Sequence, residues 1–179
     1  MMEIEKKYRL TKKQRAAVVK KLVAVGATRV GEEFEQNTIY TNGRIDMGNA
    51  ILRLRRVGSS GILTHKERLP TPEDIKHQRE IETVVEDPEA MARILSALKF
   101  TPTLIYEKYR ETWQLNTVEV VIDRLPFGLF MEIEGSVRGI KAAEKKLEIA
   151  DLVVEPQTYP ALTRQYGKNT GEVVVARFD

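Results

Sequence analysis

Glu3-Ile4-Glu5-Lys6-Lys7-Tyr8-Arg9-Leu10 decides the reading of this chain. Side chains two apart on a strand share a face, so a strand over residues 3–10 places Glu3, Glu5 and Lys7 on one side and Ile4, Tyr8 and Leu10 on the other. The same division recurs downstream. Arg53 and Arg55 share a face, as do Thr64, Lys66 and Arg68, Glu80 and Glu82, Lys108 and Arg110, Glu119 and Asp123, and Glu132 and Glu134. The opposite faces are apolar, with Leu52 and Leu54, Val118, Val120 and Ile122, and Met131 and Ile133.

An ordinary amphipathic sheet turns such polar faces to water. Recurrence argues otherwise. In most of these pairs the sign is uniform, whereas a solvated face mixes signs with Ser, Thr and Gln. Same-sign neighbours repel and ask for a partner of opposite charge. Eight strands closed into a barrel bring the pairs around one lumen, with helices covering the apolar outside.

The period-2 pattern predicts strands over 3–10, 33–41, 51–57, 62–69, 78–86, 104–115, 118–125 and 129–135. Gly58-Ser59-Ser60-Gly61 and Leu125-Pro126-Phe127-Gly128 read as turns, and the Pro70–Asp74 stretch as a break. Short connections predict antiparallel pairing. Helices are expected over 11–25, 88–98, 139–152 and 159–166. A short β-like segment at 172–178 reads as an edge strand. The expected architecture is α+β, an eight-stranded antiparallel barrel with flanking helices, in one domain over residues 1–179.

Composition excludes several classes of function. The chain has 179 residues, of which 42% are hydrophobic and 31% charged, and no apolar run approaches the roughly 20 residues of a membrane span. Without cysteine there is no thiol catalysis, no disulfide and no Cys-type zinc site. No secretory signal is visible at the N-terminus, so the expected compartment is the cytoplasm. The net charge of +3 is too small to argue for nucleic acid. Carboxylates beside the lumen cations would also repel a bare phosphate backbone, so no nucleic-acid partner is expected. Gly167-Lys168-Asn169-Thr170-Gly171 lacks the spacing of a phosphate-binding P-loop. The two histidines, His65 and His77, read as structural or surface residues, and Trp113 as a packing residue.

A lumen holding acids and bases together has a definite chemistry. Glu3, Glu5, Glu132 and Glu134 are hard oxygen donors suited to Mg²⁺ or Mn²⁺. Lys7, Arg53, Arg55, Lys66, Lys108 and Arg110 carry too much positive charge for one phosphate and fit a chain of two or three. Metal and cationic clamp together suit phosphoryl or nucleotidyl transfer.

Glu3-x-Glu5-x-Lys7 resembles the E-x-E-x-K signature of the CYTH family, the triphosphate tunnel metalloenzymes. In the same order follow Arg53-Leu54-Arg55, Thr64-His65-Lys66, Arg79-Glu80-Ile81-Glu82, Lys108-Tyr109-Arg110, Asp123-Arg124-Leu125-Pro126 and Phe130–Gly135. Thr158-Tyr159-Pro160-Ala161-Leu162 is similar to the family's S-Y-x-x-L segment. The resemblance implies that Lys7, Arg53, Arg55, Lys66, Lys108 and Arg110 hold a triphosphate. It implies Glu3, Glu5, Asp123, Glu132 and Glu134 as metal ligands, and Glu3, Glu5, Lys7 and Glu82 as catalytic residues. Which of Glu80 and Glu82 faces metal, and whether Arg164 or Lys168 joins from the C-terminal helix, stay open, as does homodimerisation. Arg68 and Glu119 are as readily barrel-rim residues as site residues. The implied activity is metal-dependent hydrolysis of a small triphosphate, with class IV adenylyl cyclase as the alternative and non-catalytic polyphosphate or RNA binding as a second alternative.

Overall fold

The computed structural model describes residues 2–70 and 75–179. In chain order the elements are β1 (Met2–Leu10), α1 (Lys12–Ala24), β2 (Thr28–Thr41), β3 (Ala50–Val57), β4 (Ser60–Leu69), β5 (Lys76–Val85), α2 (Pro88–Ala97), β6 (Thr101–Leu115), β7 (Val118–Leu125), β8 (Gly128–Glu134), α3 (Val137–Leu147), β9 (Val153–Val154), α4 (Tyr159–Tyr166), β10 (Lys168–Thr170) and β11 (Val173–Ala176). Neighbours run β6-β2-β3-β4-β5-β1-β8-β7, and β7 returns to β6. The sheet is thus a closed barrel of eight antiparallel strands with, among the described residues, four flanking helices, an α+β fold.

Register turns the alternation of the sequence into a lumen. Lys7 lies opposite Glu132 and Glu5 opposite Glu134 across β1 and β8. Glu3 lies opposite Gln78 and Glu5 opposite Lys76 across β1 and β5. Lys66 faces Glu80, and Arg110 faces Asp123. Directly opposed residues point the same way, so each strand adds its charged set to one inner wall. The outer set builds the core. Tyr8, Leu10, Val120, Ile122, Met131 and Ile133 pack beneath Val18 and Leu22 of α1 and Ile140, Ala143 and Leu147 of α3. Helix α2 covers Leu54 and Tyr40 with Leu95. Trp113 is buried in the first of these clusters, a packing residue as expected.

Helix starts follow their caps. Thr11 accepts from Gln14 N at the head of α1 in a capping box, and Asp87, Ser136 and Thr158 cap the other three helices. Helix α3 departs from the expected span of 139–152. It begins at Val137 because Ser136 caps it, and it ends at Leu147 because Glu148 adopts a left-handed conformation, φ 55°. Strand β2 begins at Thr28 rather than residue 33; its first residues lack alternation and carry a register shift between Arg29 and Gly31. Strand β5 begins two residues earlier than expected, which brings Lys76 into the barrel. Gly58-Ser59 is a two-residue hairpin with Gly58 at φ 57°, where glycine avoids a Cβ clash. The expected break at Pro70–Asp74 falls, after Pro70, outside the described residues.

The segment expected as an edge strand is β11, but it is not at the edge: it lies between β6 and β10. It pairs parallel to β6 through Val174–Ala176, along the stretch of β6 that β7 does not reach. The glycine-flanked Lys168-Asn169-Thr170 segment is β10, paired with β11.

Candidate functional site: a charged tunnel

The lumen encloses a cavity of about 560 Å³, within the range of small-molecule sites. Lys7, Arg53, Arg55, Lys66, Lys108 and Arg110 all line it, as do Glu3, Glu5, Glu80, Glu82, Glu119, Glu132 and Glu134. The period-2 reading therefore brings together every expected triphosphate ligand and four of the five expected metal ligands.

The charges divide by wall. Strands β3 and β6 supply Arg53, Arg55, Lys108 and Arg110, and β2 contributes Glu35 behind them. Glu35 is fully buried. Its carboxylate lies 3.4 Å from both Lys108 Nζ and Arg55 Nε, and 3.8 Å from Arg110 Nε. Burial alone would push the Glu35 carboxyl up. Lys108, Arg110 and Arg55 outweigh that and hold it well below the usual carboxylate range. Burial, then the neighbouring Arg110, pushes the Lys108 ammonium down to about 8. Buried Arg53 donates to Thr64 Oγ1 at 3.4 Å. Among the described residues the Nε atoms of Arg53 and Arg55 are buried without a hydrogen-bond acceptor, in side chains that line the cavity. Buried guanidinium donors of this kind ask for an anion.

The facing wall, from β1, β5, β7 and β8, carries the acids. Glu3 accepts from Lys66 Nζ at 2.6 and 2.7 Å, and the same ammonium reaches Glu80 at 2.7 Å. Glu5 lies 3.2 Å from Lys76 Nζ. Glu132 bridges Arg110 at 2.7 Å and Lys7 at 3.3 Å. Glu134 sits at the rim, where burial and then the charges of Glu3, Glu119 and Glu5 push its carboxyl up to about 7. Carboxylates that oppose one another's ionisation are the donor set a hard divalent cation relieves. An all-oxygen donor set of this kind suits a hard divalent cation better than zinc, since neither histidine lines the cavity. Among the described residues no three such groups are already gathered at ligand spacing; lysines hold several of these carboxylates.

Asp123 is placed differently from the other expected metal ligands. It is fully buried and absent from the cavity lining. Its oxygens accept from Arg110 at 2.8 and 2.6 Å, from Lys108 at 3.3 Å and from the Tyr159 hydroxyl at 2.8 Å. Of the mid-chain pair, Glu80 is the one that braces a base, and Glu82 is exposed at the cavity wall. Arg164 and Lys168 are both exposed, and neither lines the cavity. The C-terminal segment contributes Thr158, Tyr159 and Pro160 instead. Lys7 Nζ sits 3.8 Å from the centre of the Tyr159 ring and donates to Gln157 O at 3.0 Å. Of the two rim candidates, Glu119 lines the cavity and Arg68 does not.

The CYTH domain model matches residues 1–159. The chain belongs to the CYTH family. Among solved structures, PH1012 of Pyrococcus horikoshii OT3 is 25% identical, with a TM-score of 0.78 over 89% of this chain and 98% of that one. A conserved hypothetical protein of Pyrococcus furiosus is 24% identical, with a TM-score of 0.76 over 89% and 99%. A Hippeastrum protein described as an adenylyl cyclase with a dominant triphosphatase activity is 16% identical, with a TM-score of 0.71 over 92% and 96%; at that identity it shows the fold alone. No curated protein matches the chain in sequence. No helix among the described residues is long and apolar enough to cross a membrane.

Proposed function

We propose that this CYTH protein is a divalent-metal-dependent hydrolase of a small linear triphosphate. One observation carries the reading: a wall of buried cations faces a wall of carboxylates across a cavity sized for a phosphate chain. Arg53, Arg55, Lys108 and Arg110 hold the chain by charge-assisted hydrogen bonds. Lys7 reaches it from β1 on the opposite wall, and Lys66 from β4, between the two walls. Glu3, Glu5, Glu132 and Glu134 hold Mg²⁺ or Mn²⁺, which when bound neutralises charge developing on phosphoryl oxygens. Asp123 acts beneath them as a brace that fixes Arg110, Lys108 and Tyr159, and Glu82 stands at the wall where a water would enter.

The lining supports hydrolysis over cyclisation. Its aromatic residues are Tyr106 and Tyr159, both buried and the latter engaged by Lys7 and Asp123. Neither offers a free face to stack a base. With Mg²⁺ or Mn²⁺, inorganic triphosphate or thiamine triphosphate should release phosphate, ATP should give no cyclic AMP, and EDTA should stop turnover. Cyclic AMP and pyrophosphate from ATP would instead assign the tunnel to a cyclase.

Arg53→Ala and Arg55→Ala should each weaken triphosphate binding by about 1.5–3 kcal/mol, or roughly 10- to 150-fold. Calorimetric titration with inorganic triphosphate reads this directly, and unchanged affinity in both variants would remove the cationic wall from the site.

A further inference from the structure

On the outside of the barrel, α1 and α3 are basic from end to end, at their starts as well as in the last turns, where Lys21, Lys145 and Lys146 suit the macrodipole. With the C-cap Glu148, they carry nine basic and two acidic residues. The whole chain has 29 and 26, so everything else is net −4 while these two helices are net +7. Neither helix has an acid in its first turn, where the macrodipole favours one. Lys12 and Lys13 stand there in α1, and Arg138 in α3. Arg138, Lys141 and Lys145 follow at spacings of three and four, a like-charge stripe that destabilises an isolated helix.

Ion pairing does not explain the set. Arg15 reaches Glu111 and Lys21 reaches Glu148. Lys12, Lys13, Lys20, Arg138, Lys141, Lys145 and Lys146 are exposed and form no salt bridge among the described residues. Both helices bury their opposite faces in one cluster on the outer wall of β1, β7 and β8, so the cations share one side of the molecule. Local preferences set aside at two neighbouring helices point to a partner that supplies the missing charge.

We propose that the α1–α3 face binds the phosphodiester backbone of a nucleic acid. The successive rises between Arg138, Lys141 and Lys145, about 4.5 and 6 Å along the axis, suit phosphates along one strand. An anionic membrane fits less well, because the exposed apolar residues among the cations are Ala16, Ala17, Val23, Ala24 and Ala142, without the aromatic or leucine anchors of interfacial helices. The set is mostly lysine, so recognition is of backbone charge and not of sequence. The argument against nucleic acid drawn from the lumen carboxylates does not reach this outer face.

Fluorescence anisotropy of a labelled 20-nucleotide RNA with the full chain tests the proposal. Reversal of Lys13, Lys20, Lys141 and Lys145 to Glu should weaken binding at least tenfold. It should also flatten the plot of log affinity against log salt by about 3 units, near 0.7 for each lost phosphate contact. The same four positions changed to Gln should shift affinity in the same direction. Arg93→Glu, on exposed α2, should change it less than twofold. Excess inorganic triphosphate at matched ionic strength should leave binding intact. No RNA binding at low salt, equal affinity in the quadruple variants, release by triphosphate, or binding to phosphatidylserine vesicles but not to RNA would each overturn the assignment. None of these residues lines the tunnel, so triphosphate turnover reports separately on the catalytic reading.

Discussion

Glu35→Gln should lower the unfolding free energy by about 3–5 kcal/mol at pH 7, the range for removing one partner from a buried charge cluster. Three cations, Lys108, Arg55 and Arg110, converge on this fully buried carboxylate. Without it, Arg55 loses its acidic partner, Lys108 keeps Asp123, and Arg110 keeps Asp123 and Glu132. The pH dependence has a definite sign. The folded carboxyl is held below its ordinary value, so its contribution is fully present above the unfolded value of about 4.3 and is lost as the pH falls through and below it. Denaturant titrations at pH 7 and near pH 3.5 should therefore show the gap between wild type and variant narrowing in acid, by about 1 kcal/mol at the lower pH, without closing. Equal stability at pH 7 would mean that Glu35 is dispensable to the cationic wall.

On the proposed reading Glu134 is a metal ligand, so Glu134→Gln should reduce metal-dependent triphosphate turnover by about 10²-fold or more, through the loss of several kcal/mol of transition-state stabilisation. Stability should change little, because this carboxylate is disfavoured by its acidic neighbours when metal is absent. Glu132→Gln should lose turnover to a similar degree and stability as well, because Arg110 and Lys7 both lean on it. Steady-state rates and thermal midpoints, measured side by side, separate the two. Wild-type turnover in both variants would take this wall out of the chemistry.

Much of the tunnel was legible because charge at period 2 is unambiguous once a strand is recognised. Arg53-Leu54-Arg55 and Glu132-Ile133-Glu134 can face only one way if their apolar partners are to be buried. The gaps have equally physical causes. Glu35 belongs to the run Glu32-Glu33-Phe34-Glu35, where acids occupy both faces and alternation says nothing; the irregularity between Arg29 and Gly31 blurs it further. Lys76 follows a proline-rich break and has the neutral Gln78 as its face partner, so no charge pair marked it. The sequence pattern places Tyr159 at a helix start, yet its role depends on α4 bringing it to the buried ends of Lys7 and Asp123. Asp123 shows the remaining difficulty. The face was right, but only the fold reveals that Arg110 lies between it and the cavity.

The closing of β7 onto β6 leaves one stretch of β6 in need of cover, and β11 and β10 supply it in turn. The outermost strand is the three-residue Lys168-Asn169-Thr170, fully exposed and carrying a positive charge. Short charged margins resist templated pairing between molecules. The valines of β11 are thereby kept from acting as a seed, and a chain cut after Gly167 would bare Leu104, Ile105 and Tyr106 along an open border. The last dozen residues contribute nothing to the tunnel lining; their part in the fold is to end the sheet in a margin that templates pairing poorly.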